Sequence, residues 1–201
     1  MFYYRIKLYF REVVTFLLLA TTWMSCESEK PPATFYPIDS LVSDQVSHLA
    51  IMGAGLFKEA LLSGKTDTIT YIPTDALWAK ELDIFRKLDE INKPFNKENY
   101  EVSDGLVDPG SNLKVKAFTT GKEIPVAYLK IFYQGSIAKP RKIEALYEEE
   151  NELYQSARLL SMHFQQIDNK TVLTSYSIKG GQKMIFGDSV AFYIIGKVLV
   201  D

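Results

Sequence analysis

The sequence predicts an α+β fold: N-terminal helices packed on an antiparallel β-meander of about six strands. Apolar residues recur at helical spacing through the first half, and β-rich runs separated by turn residues fill the second half. A meander of short strands needs one face covered, and the helices upstream are available to cover it. Residues 36–201 are long enough to bury one sizeable core and are read as a single domain.

The first helix begins after Tyr36-Pro37, where Asp39 or Ser40 can accept a bond from a free N–H of the first turn. Leu41, Val42, Val46, Leu49, Ala50, Leu56, Ala60 and Leu61 draw its apolar stripe. Gly53 and Gly55 weaken its middle, so the segment reads as two helices or one bent one, and Gly64 supplies a stop. Residues 66–72 alternate and read as a short strand. Pro73-Thr74-Asp75 then starts a second helix with Trp78, Leu82, Phe85, Leu88 and Ile91 on its buried face. It ends before Pro94, which disfavours helical geometry in the residue preceding it.

The β-rich runs are 113–118, 124–133, 139–147, 153–164, 171–178 and 184–195. Thr120-Gly121, Gln134-Gly135, Glu149-Glu150-Asn151, Asp168-Asn169-Lys170 and Gly180-Gly181 read as the turns between them. Lys139-Pro140 marks an edge or a strand entry, since proline cannot donate to a ladder. Strand parity puts Tyr128 and Phe132 on one face and Leu129, Ile131 and Tyr133 on the other. Such strands, apolar on both sides, imply a sheet covered twice, or covered once and lined once by a ligand or partner.

The N-terminus carries a different signal. Arg5, Lys7 and Arg11 precede an apolar run from Val13 to about Trp23, the order of a signal peptide's basic and apolar regions. The chain's only cysteine, Cys26, follows directly, preceded by the small Ser25. Polar, proline-containing residues 27–34 come next. This arrangement resembles the signal and lipobox of bacterial envelope lipoproteins. The resemblance implies a signal peptide at 1–25, an acylated Cys26 and a flexible tether over 26–35. It also implies a cell-envelope address. Glu27 after the cysteine is compatible, by the sorting rules of that family, with the outer membrane. The domain would face either the periplasm or the cell surface.

Loss of residues 1–25 would remove Arg5, Lys7, Arg11 and Glu12 and leave 20 basic against 24 acidic residues. That balance excludes a strongly basic nucleic-acid binder, whose affinity rests on phosphate neutralisation. A single cysteine excludes an internal disulfide framework, and with two histidines it leaves few soft metal ligands. The sequence carries no GxSxG, P-loop or HExxH motif. No catalytic residue, metal or cofactor is expected. His48 and His163 read as structural residues of a helix and a strand. Glu148, Glu149, Glu150 and Glu152 read as a solvated hairpin tip. Asp39-Ser40-Leu41, Asp67-Thr68-Ile69 and Asp188-Ser189-Val190 resemble the acceptor pattern of some bacterial O-glycosylation systems, which implies sugar on Ser40, Thr68 or Ser189.

These readings combine into a membrane-anchored envelope lipoprotein with a non-enzymatic binding or structural domain. Its partners would be the membrane, through the lipid anchor, and another envelope protein or a cell-wall component. A rival reading is a carrier or chaperone for apolar ligands such as lipids, held in a helix-covered curved sheet. A third, a hydrolase, would need His48 or His163 in a cleft beside a nucleophile or carboxylate.

Overall fold

The computed structural model describes residues 35–200, so the leader, Cys26 and residues 27–34 of the tether lie outside the described residues. The chain runs as helix α1 (Ile38–Ile51), hairpin β1 (Gly55–Leu62) and β2 (Lys65–Tyr71), and helix α2 (Asp75–Arg86). A 3-10 segment (Lys87–Asn92) and the single turn α3 (Pro94–Lys97) follow. The remaining strands are β3 (Glu101–Val107), β4 (Lys114–Thr119), β5 (Val126–Tyr133) and β6 (Pro140–Glu150). The last are β7 (Tyr154–Ile167), β8 (Lys170–Met184) and β9 (Ser189–Leu199). All lie in one antiparallel sheet of order β2-β1-β9-β8-β7-β6-β5-β4-β3.

Among the described residues the sheet has nine strands rather than about six, and the helices are interleaved with the first hairpin rather than gathered ahead of it. The first helix stops at Ile51, and Gly53 turns the chain with a left-handed φ of 61°. Leu56, Lys58 and Ala60 then point to the helix side from β1 at strand spacing, in register with Val198, Gly196 and Ile194. Strand β3 has no counterpart among the β-rich runs, because every one of its residues is exposed and leaves no burial pattern in the sequence. Gly180-Gly181 is not a turn but lies inside β8. The strand expected over 66–72 forms as Lys65–Tyr71, whereas the helix after Thr74 stays α-helical only to Arg86 and carries Leu88 and Ile91 in the 3-10 segment before Pro94. Thr74 Oγ1 accepts from the Leu77 N–H. Pro140 opens β6, an interior strand, so it marks an entry and not an edge.

One face of the sheet carries the helices. Trp78, Leu82, Phe85, Leu88 and Ile91 are each at most 1% exposed and pack with Ile38, Val42 and Leu49 from α1. Against them the sheet sets Leu56, Leu129, Ile131, Ile143, Leu160, Met162 and Tyr176. Gln45 of α1 is buried and satisfied. Its Nε2 donates to the Thr171 carbonyl at 2.9 Å, and its Oε1 accepts from the Leu173 N–H at 2.7 Å. The register of β7 and β8 shifts beside that point, between the pairs His163–Ser175 and Phe164–Leu173. A shift of this kind interrupts the ladder, and the Gln45 amide satisfies backbone groups next to the interruption.

Candidate functional site

Two carboxylates fasten the helical layer to the sheet. Glu81, on α2, accepts both contacts of the Lys58 ammonium at 2.7 and 2.9 Å. It also accepts the Tyr71 hydroxyl at 2.9 Å and the Tyr176 hydroxyl at 2.8 Å. Burial pushes the Glu81 pKa up, but the bonds from Lys58, Tyr176 and Tyr71 and the Lys58 charge outweigh it, so the group sits below its ordinary value. Tyr71 is pushed up to about 12 by burial and by its bond to Glu81. At the other end, Glu149 of β6 accepts from Lys87 at 2.9 Å, Tyr147 at 3.0 Å and Arg158 at 3.1 Å. Both carboxylates hold several donors each, which suits a clamp better than a general base.

The glutamate run is thereby split by strand parity. Glu149 turns to the helix side, whereas Glu148 and Glu150 are exposed on the opposite side. Glu148 and Glu150 border a wide trough of about 1020 Å³ at the end of β6–β9, with Glu123, Lys183, Ala157 and Gly181. Among the described residues, no group of three or more His, Cys, Asp or Glu could hold a metal ion.

The second face of the sheet carries no helix among the described residues. Cross-strand register lays its side chains in rows: Lys197–Ser175–His163–Lys142–Phe132, Ile195–Ser177–Ser161–Glu144–Lys130, and Tyr193–Lys179–Leu159–Leu146–Tyr128. Lys142 lies 4.9 Å from the Phe132 ring centre and pairs with Glu144 at 2.6 Å. Lys130 lies 5.0 Å from the Tyr128 ring centre. Val115, Ala117 and Phe132 form a small apolar cluster of their own on this face. Tyr128 and Phe132 are therefore on the open side and Leu129 and Ile131 in the core, as strand parity requires.

His163 projects from this open face, and its Nε2 lies 3.3 Å from Ser161 Oγ. Burial lowers the His163 pKa, the Lys142 charge lowers it further, and Glu144 works in the opposite direction. The imidazole is thus held neutral over more of the acid range than a free histidine. Among the described residues, no carboxylate bonds its other ring nitrogen. His48 lies in the last turn of α1, far in sequence and on another element. Ser40, Thr68 and Ser189 are all exposed.

The open face is only half legible in the sequence. The i, i+2 spacing of Lys142 and Glu144, Ser161 and His163, and Ser175 and Ser177 can be read there. Which side lacks helices cannot. The Glu81 clamp has no local signal, because its partners lie 10 to 95 residues away.

Among the described residues, no helix is long and apolar enough to cross a membrane. The chain matches no family model, no curated protein and no solved structure.

Proposed function

We propose that this chain is a bacterial envelope lipoprotein, tethered through an acylated Cys26, whose domain binds a partner without catalysing a reaction. The anchor reading rests on the basic and apolar leader ending at the only cysteine. The binding reading rests on one observation: helices cover one face of the sheet, and the other presents lysines, hydroxyls and aromatic rings in rows. Such a mixed, uncovered face suits another envelope protein or a cell-wall component. The layer between helices and sheet is filled by Trp78, Leu82, Phe85 and Tyr176, which favours binding on the surface over carriage of an apolar ligand inside. Glu27 beside the anchor favours the outer membrane.

A photo-crosslinking residue placed at Leu159 or Tyr193 in living cells tests the face. Discrete adducts are expected from these positions and none from Phe95, an exposed apolar residue beside the helices. Equal labelling from all three positions, or none from the open face, would remove it as the binding surface.

A further inference from the structure

Two neighbouring turns at one end of the sheet carry apolar side chains into solvent. Phe186 is 99% exposed, Leu153 69%, Ile185 58% and Met184 45%. Soluble surfaces carry scattered apolar residues, but four large ones on two adjoining turns form a patch. The turns are joined by a bond from the Ile185 N–H to the Leu153 carbonyl at 3.1 Å. Asn151 stiffens the first, because its Oδ1 accepts from the N–H groups of Leu153 and Tyr154 at 2.8 and 3.1 Å. The knob is thus built and held in place before it meets anything.

We infer that this knob enters the lipid interface of the membrane that holds the chain, as a second attachment beside the acyl anchor. The inference rests on the anchor reading above. Three considerations favour lipid as the occupant. A tip led by the fully exposed Phe186 needs no matching groove in a fluid apolar phase. The charges beside it, Glu150, Glu152, Lys183 and Asp188, are three acidic and one basic, so anionic lipid does not attract the tip and its hold is apolar insertion among zwitterionic headgroups. The third is reach. Phe35 stacks on Phe118, which lies level with Leu129, Ala145, Leu160 and Ile178 across the sheet. From Ile178 to Met184 is about 20 Å of strand. The covalent span from Cys26 to Phe35 is at most about 32 Å. A bilayer that takes the acyl chains is therefore within reach of the tip along the strand direction.

The test uses the full chain extracted from its membrane and reconstituted into phosphatidylcholine vesicles, with Phe186→Trp and, separately, Phe95→Trp. Both positions are exposed, so neither change disturbs the core. The indole introduced at 186 should emit at shorter wavelength and lose most of its added emission to lipid brominated on its acyl chains, at low and high salt alike. The indole at 95 should be quenched by aqueous iodide instead. A residue-186 signal open to iodide and untouched by bromolipid overturns the inference. So does equal bromolipid quenching at both positions, or bromolipid quenching at 186 that disappears at high salt. The mass of the same sample reads the anchor independently. An acylated chain with a water-exposed tip sinks only the present inference. An unacylated chain with a lipid-buried tip sinks only the anchor.

Discussion

Tyr176 reaches Glu81 across 2.8 Å and 95 residues of chain because position 196, opposite it on β9, is glycine. A Cβ at Gly196 would overlap the Tyr176 ring, so the ring lies over bare backbone. That ring also meets Phe85 of α2 edge-on at 5.8 Å. One absent side chain thus lets Tyr176 of β8 join Lys58 of β1 and Tyr71 of β2 on the carboxylate that α2 presents.

Gly196→Ala should displace the Tyr176 ring and destabilise the fold by about 1–3 kcal/mol, the cost of overpacking a filled site. Gly121→Ala, where an added Cβ meets nothing within 4 Å, should be near neutral. Urea denaturation of the two variants side by side decides this, and equal midpoints would contradict the packing described.

Glu81 should give the fold part of its acid sensitivity. Its folded-state pKa lies below the ordinary 4.5, so its contribution is complete above that value and is lost as pH falls through the folded pKa. Glu81→Gln removes the charge and leaves Lys58 without its counter-ion. The variant should be less stable at neutral pH, and the gap to the parent chain should narrow below about pH 4.5. A gap that stays constant through the acid range would mean that Glu81 titrates as it does in the unfolded chain.

Gln45→Leu keeps the volume but abandons the Thr171 carbonyl and the Leu173 N–H. Each buried group left unpaired costs about 1–3 kcal/mol. Stability should fall accordingly, and the Leu173 amide should exchange faster with solvent. Unchanged exchange at Leu173 would show that the backbone there finds another partner.

His163 should titrate below the ordinary 6.5, because burial and then Lys142 oppose its protonation. Its contribution to stability is therefore complete above 6.5 and lost as pH falls through the lowered value. Lys142→Gln should move the imidazole back upward, which nuclear magnetic resonance of the ring protons reads directly. A downward move would mean that the Glu144 charge, freed of its lysine, does not govern the ring.

These residues also show where sequence reasoning stops. The Thr74 cap and the Trp78, Leu82, Phe85 stripe are local features, and local features are readable. Leu56 and Ala60 fit a helical stripe by spacing, yet tertiary pairing with β9 makes them a strand. Gly180 looks like a turn residue, but its missing side chain makes room for the Ala157 carbonyl and the Phe192 ring from neighbouring strands. Strand β3 is an edge with a bulge between Ser103 and Leu106 and no buried residue, so no alternation marks it. In each case a residue distant in sequence decides the outcome, and composition and spacing carry no trace of that neighbour.

Acylation of Cys26 underlies the anchor, the address and the choice of partners alike. Intact mass spectrometry of the native chain from the membrane fraction measures it, with Cys26→Ser as the comparison. A polypeptide beginning at Cys26 and heavier by its acyl groups is expected, with Cys26→Ser giving an uncleaved precursor or a chain released from the membrane. A native polypeptide that begins at Met1 with a free thiol, and fractionates identically after Cys26→Ser, would contradict it.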